Sequence, residues 1–285
     1  MSLESLDPDR VENALIEYGA LSVTLTDGGD EPLLEPAPGE MPLWTDTRVT
    51  ALFDEDTDLN DLPRHLASTL DIDELPACNT ETLADRPWER EWLKDFGPMR
   101  FGDKLWIVPG DLPDPADDAV VVRLDPGLAF GTGTHATTAL CLAWLDSLDL
   151  AGKTVFDFGC GSGILGIAAL RLGAVSVHAI DIDLQAVTAT RQNAARNDVD
   201  DRVEAGTALA AAGRRFDVVV ANILAGTLIE HAELIMASTA RGGQLALSGI
   251  LSGQVESVLA AFEEHIAFGP PVTLDGWAML SGTRN

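Results

Sequence analysis

Between Thr154 and Gly166 an apolar run ends in Asp157, passes through glycines at 159, 161 and 163, and opens into a helical pattern. Glycines there let the chain turn sharply and let a ligand lie against the main chain, because no Cβ intervenes. The helix that follows presents unpaired N–H groups to that ligand. Residue types and spacing together describe a site for a nucleotide-like molecule. Gly161, Gly163 and Gly166 satisfy the G-x-G-x-x-G dinucleotide pattern, with Asp181 about twenty residues on as the ribose-binding acid. The glycines alone do not separate a nicotinamide dinucleotide from S-adenosylmethionine (AdoMet). A glycine-rich turn that binds nothing is the bland alternative.

Three features favour AdoMet. Asp157 closes the strand directly before the glycines, where a carboxylate can face a cationic amino group and would repel a pyrophosphate. Phe216 to Gly226 reads as a buried strand ending in Asn222, and open α/β sheets bind ligands at such strand ends. Asp125 to Thr138 (Asp-Pro-Gly-Leu-Ala-Phe-Gly-Thr-Gly-Thr-His-Ala-Thr-Thr) has the glycines and threonines of a loop folded over a ligand.

The block from Asp125 to Thr138, the Asp157-Phe-Gly-Cys-Gly-Ser-Gly163 loop, Ile180 to Asp183 and Asn222-Ile-Leu-Ala-Gly226 together resemble the ribosomal protein L11 methyltransferases, the PrmA family. Trp88 to Trp92, Pro98 to Gly102 and Leu247 to Leu251 extend the resemblance over nearly the whole chain. It implies an α/β fold: a Rossmann-like, seven-stranded class I methyltransferase sheet with a smaller N-terminal α+β, ferredoxin-like domain for substrate recognition. The implied division is 1–87 for recognition, a linker helix over 88–97, and 98–285 for AdoMet-dependent transfer. The implied reaction is methylation of L11, a large-subunit ribosomal protein, on lysine ε-amino groups and the N-terminal amine. By the same resemblance Thr138 and Asp181 hold the cofactor. Gly159 and Gly161 are expected to bring the main chain against it. Asn222 is expected both at the cofactor and as the catalytic residue, an Asn that merely ends a strand in a turn being the alternative.

Residue chemistry runs parallel to that. A carboxylate at Asp181 can accept both ribose hydroxyl protons; Asp183, the competing acid, suits the N-cap of a helix starting at Leu184. Thr138 offers a hydroxyl from a first helix, with bonding back to its own helix as the alternative. The Asn222 side-chain oxygen, with nearby carbonyls, can accept hydrogen bonds from an amine and leave the nitrogen lone pair facing the methyl group. Related amine methyltransferases carry Asn-Pro-Pro at this point; Asn222-Ile-Leu-Ala here argues against a flipped DNA base and for a flexible aliphatic amine. Freeing the lone pair of a lysine costs roughly 4 to 5 kcal/mol at neutral pH, and positioning can supply roughly 7 to 11 kcal/mol of the barrier. No general base is required. Phe130 would wall the pocket or pack the core.

The elements that must position these groups follow from periodicity. Asp7 and Pro8 start a helix whose apolar face is Val11, Ala14, Leu15 and Tyr18, ending at Gly19. Strands are expected at 21–26, 49–53 and 78–83, a helix at 61–70 and a proline-rich loop at 31–42. That order suggests helices on an antiparallel sheet. The family's first strand is represented only by Met1 to Ser5, which puts that strand in doubt. A hairpin turn is expected at 101–104 and a surface loop at 111–118. A regular alternation follows: helix 135–148, strand 154–158, helix 163–172, strand 175–180, helix 184–197, strand 203–205, strand 216–221, helix 227–237, strand 244–250, helix 254–264 and strand 277–282.

With 285 residues and 46% hydrophobic residues the chain can bury a sizeable core. The opening residues are acidic rather than signal-like, no apolar run reaches the roughly 20 residues a membrane span needs, and the cysteines, Cys78, Cys141 and Cys160, are odd in number. A cytoplasmic monomer is expected, with no membrane and no direct nucleic-acid partner. The net charge of −28 repels phosphate backbones and attracts a basic protein, and it equally suits solubility in a salty cytoplasm. His65, His135, His178, His231 and His265 show no metal-ligand spacing with the cysteines, and His178, on an apolar strand, reads as a core histidine. Two other functions fit parts of the pattern: an NAD-dependent oxidoreductase and a non-enzymatic ribosome-assembly module.

Overall fold

The computed structural model describes residues 1–3, 6–29, 43–73, 75–82, 97–110, 112–124, 135–207 and 213–285. The linker helix, the 31–42 loop, Phe130 and the loop from Asp125 to Thr134 lie outside the described residues. The chain divides into two compact units, Met1–Arg86 and Pro87–Asn285.

The first unit contains α1 (Pro8–Tyr18), β1 (Ser22–Asp27), β2 (Thr47–Leu52) and α2 (Leu62–Leu70). Asp7 caps α1 as expected, accepting from the N–H groups of Asp9 and Arg10. Val11, Leu15, Val49, Leu66 and Leu70 form its core. β1 and β2 pair antiparallel. On the other edge of β2, Met1 to Leu3 makes a single bridge, with Leu3 N–H on the Thr47 carbonyl and Val49 N–H on that of Met1. The expected strand at 78–83 does not form over its described residues, 78–82, which are exposed and unpaired with any strand. The described residues thus supply a two-stranded sheet and two helices, short of a full ferredoxin-like set.

The second unit opens with β3 (Met99–Phe101), β4 (Leu105–Pro109) and β5 (Val120–Leu124), a separate three-stranded sheet. The expected hairpin joins β3 to β4; its turn is fixed by Asp146, whose Oδ2 accepts from Asp103 N–H at 2.5 Å. β5 was not anticipated: it pairs parallel with β4 without a helical crossover, outside the regular alternation.

Then follow α3 (Ala136–Ser147), β6 (Thr154–Phe158), α4 (Ile164–Arg171), β7 (Ser176–Ile180), α5 (Leu184–Arg196), β8 (Val203–Gly206), β9 (Phe216–Asn222), α6 (Ala225–Glu230), α7 (Ala232–Ser238), β10 (Thr239–Leu251), α8 (Val255–Phe262), β11 (Ile266–Phe268), β12 (Val272–Leu274) and β13 (Trp277–Arg284). The helix expected over 227–237 is two, divided at His231, where φ is −102° and ψ 12°. The sheet runs β11-β13-β10-β9-β6-β7-β8, with β12 also on β13. β11 and β12 lie along one edge of β13, so they are two halves of a single seventh strand. Pro270 and Pro271 interrupt it, since proline has no N–H for the ladder. Alternating residues feed two cores. Val155, Val218 and Val220 face one, and Phe156, Phe158, Val219 and Ala221 the other, as a sheet covered on both faces requires. No helix among the described residues is long and apolar enough to cross a membrane.

Candidate active site

Strand order reverses between β6 and β9, which are parallel neighbours with Phe158 opposite Ala221. Ligands of open α/β sheets bind outside the carboxyl ends at such a switch point. The glycine turn leaves β6 there, and Asn222 ends β9 beside it.

Asp157 is 1% exposed. Its Oδ2 accepts from Gly166 N–H at 2.9 Å, and its buried Oδ1 has no hydrogen-bond partner among the described residues. Burial pushes the carboxyl up to about 7; the Gly166 bond opposes that and the Asp181 charge adds to it. The turn is held by its neighbours. Gly159 and Cys160 N–H groups donate to the Ile180 carbonyl, and Gly161 N–H donates to Asp181 Oδ2 at 2.9 Å. Asp181 Oδ1 accepts from Asp183 N–H, while Asp183 itself caps α5 through Gln185 N–H, the cap expected of it. A Cβ on Gly159, whose φ is +76°, would stand 2.3 Å from Ile223 Cγ2.

Two residues that the sequence reading missed also clasp the turn. From α5, Thr190 donates its hydroxyl to the Gly161 carbonyl at 3.0 Å and Asn193 Nδ2 donates to that of Ser162 at 2.9 Å. Their spacing, three apart on a helix following the glycines, was the available signal. Cys160 and Cys141 are buried, and burial pushes both thiols up to about 12, which suits packing rather than reactivity.

On the other side of the switch point, Asn222 Nδ2 donates to Thr138 Oγ1 at 3.3 Å. Thr138 is buried in the first turn of α3, whose N-cap is His135. His135 Nδ1 lies 2.8 Å from Thr137 Oγ1, and its ring meets that of Trp277 edge-on at 4.9 Å. Ile182, next to Asp181, is 98% exposed. The structure therefore brings together Gly159, Gly161 and Asp181 in one cluster and Asn222 and Thr138 in a second, on adjacent strand ends.

A glycine turn closing the first strand of a doubly wound sheet, an acid closing the second, and an antiparallel strand next to the far edge define a Rossmann-like class I methyltransferase. The whole chain, residues 1–285, matches the ribosomal protein L11 methyltransferase (PrmA) family, and the protein belongs to it. Ribosomal protein L11 methyltransferases of Escherichia coli (strain SMS-3-5 / SECEC) and Shigella boydii serotype 18 are each 53% identical to it over 278 residues, covering 96% of this chain and 94% of the relative. A crystal structure of ribosomal protein L11 methylase from Lactobacillus delbrueckii subsp. bulgaricus is similar with a TM-score of 0.60 and 35% identity, over 67% of this chain and 100% of that one. These relatives lend no support to an oxidoreductase or a non-enzymatic assembly module.

Proposed function

We propose that this protein methylates ribosomal protein L11 on lysine ε-amino groups and the N-terminal amine with AdoMet as donor, Met1–Arg86 recognising the substrate. The observation that carries the chemistry is the Asn222 carboxamide, anchored by Thr138 at the strand end beside the glycine turn.

The turn's residues fit AdoMet. Asp157 and Asp181 surround the turn with acidic groups, which suit a cationic ligand and repel a pyrophosphate. The orphaned buried Oδ1 of Asp157 can take a hydrogen bond from an ammonium group, and Asp181 has lone pairs left for ribose hydroxyls. Ile182 offers an apolar face for the adenine. AdoMet, when bound, supplies a methyl carbon on positively charged sulfur, open to attack by an amine lone pair. Asn222 Nδ2 is committed to Thr138, so its Oδ1 points the other way and can accept an N–H of a neutral amine. That bond fixes the direction of the lone pair, and the positioning is the enzyme's main contribution. All these residues come from one chain, so a monomer suffices, and a ribosomal substrate implies work in the cytoplasm.

Incubation with methyl-labelled AdoMet and purified L11 tests this. Label on L11 lysines and N-terminus is expected; label on other proteins with none on L11 would sink it. Calorimetry should show binding of S-adenosylhomocysteine and none of NAD.

A further inference from the structure

β10 loses register with β13 between Leu247 and Ile250, and the residues in that bulge are Ser248 and Gly249. Across the β9–β10 ladder Ser248 stands opposite Asn222. Bulges re-aim groups beside functional sites. Here the Ser248 carbonyl accepts from Ile223 N–H at 3.1 Å, and its fully buried hydroxyl donates to the Thr137 carbonyl at 3.2 Å. One residue beyond Thr137, the Thr138 hydroxyl accepts from Asn222. The bonds close a ring that passes from Asn222 to the first turn of α3, to the bulge, and back to Ile223.

Gly249 sets the depth of that ring. Its φ is +82°, and a Cβ there would lie 2.3 Å from the Ile223 carbonyl oxygen and 2.8 Å from its carbonyl carbon. These are backbone atoms, so no rotamer change relieves the overlap; the Asn222–Ile223 segment itself must move. On its other side Ile223 lies against Gly159 of the glycine turn.

We propose that Ser248 and Gly249 are positioning residues for methyl transfer, holding the Asn222 carboxamide at a fixed distance from the glycine turn. The assignment rests on the reading of Asn222 as the group that orients the acceptor amine.

The decisive comparison is Gly249→Ala against Gly242→Ala. Both glycines lie in β10 with positive φ, +82° and +71°, but a Cβ on Gly242 has nothing within 4 Å. The backbone strain is shared; the displacement of Ile223 is not. Gly249→Ala should lower kcat about a hundredfold, the scale of a small misplacement at a reacting centre. Gly242→Ala should keep its kcat. Equal losses in both, or full turnover in Gly249→Ala, would overturn the assignment. Should Gly249→Ala fail to fold, Ser248→Ala decides: it should lower kcat about tenfold, roughly one hydrogen bond's worth. In an Asn222→Ala background it should lower kcat no further, since its effect runs through Asn222; additive losses would count against it. Wild-type enzyme that leaves L11 unlabelled would defeat the proposed substrate, a result distinct from an active enzyme indifferent to Ser248 and Gly249.

Discussion

Thr138 Oγ1 and Asn222 Nδ2 lie 3.3 Å apart although 84 positions separate them in the chain. The bond spans the start of α3 and the end of β9, two elements that the α/β alternation brings to one sheet end. Because a carboxamide carries its donor and its acceptor on opposite sides, the hydroxyl determines where Asn222 Oδ1 points.

Thr138→Val keeps the shape and removes the acceptor. Turnover with L11 should fall about tenfold, the worth of one hydrogen bond, with the melting temperature little changed. Thr138→Ser should retain most activity. Steady-state kinetics on the two variants checks this, and turnover kept in the Val variant but lost in the Ser variant would show that the methyl-bearing shape, not the hydroxyl, matters.

The places of Asp157, the glycine turn, Asp181 and Asn222 at strand ends, and the Asp183 cap, were legible in the sequence because each depends on local pattern: an apolar strand, the residue that ends it, the cap that follows. Val218 to Ala221 announced a strand buried on both faces and is one. The ring through Ser248 was not legible. It exists because β9 and β10 pair in parallel and β10 bulges; Gly249 inside the strand is a signal for the bulge, but nothing near Ser248 in sequence specifies its partner strand. β5 escaped for a related reason: its partner β4 precedes it without the helix that signals a parallel crossover. The edge strand was hidden by Pro270 and Pro271, which split it into two segments too short to show periodicity.

Gly166 marks where α4 presses on the sheet. A Cβ there would stand 2.8 Å from Val177 Cγ1 and 3.1 Å from Asp157 Oδ2. Overpacking of this kind costs about 1–3 kcal/mol, so Gly166→Ala should unfold at lower urea concentration. Val177→Ala makes room for the methyl group. The double variant should therefore lose less stability than the sum of the single losses, the coupling expected of residues in contact. Simple additivity in urea titrations would place the clash elsewhere.

His178 is buried between Phe156 and Phe216, with ring centroids 5.6 Å and 5.8 Å away. Burial, then the Arg214 guanidinium, holds its pKa below the ordinary imidazole value, against the pull of Glu204. The unfolded chain takes up this proton near pH 6.5, while the folded ring resists it. The resulting stability is present above about pH 6.5 and is lost as pH falls through the depressed folded value. His178→Phe keeps the stack and does not titrate. Its stability relative to wild type should rise as pH falls below about 6.5, read from melting temperature against pH; a flat difference would mean the ring protonates freely in place.

Asp157 has the opposite sign. Its folded pKa of about 7 lies above the value of about 3.9 for an unfolded aspartate, so between them the folded chain holds a proton that the unfolded chain has released. That contribution is complete below about pH 3.9 and is lost as pH rises through about 7. Asp157→Asn resembles the protonated form and carries no such penalty, so it should gain on wild type, in melting temperature without ligand, as pH rises from about 4 to about 8. Ligand binding reports on the same group. An ammonium group placed against the orphaned Oδ1 favours the ionised carboxyl. S-adenosylhomocysteine, which carries that ammonium, should therefore release a proton as it binds near pH 6. In calorimetry the binding heat of wild type should vary with the ionisation enthalpy of the buffer, and that of Asp157→Asn should not. Identical heats for wild type in every buffer would mean that the ligand's ammonium group does not lie against Asp157.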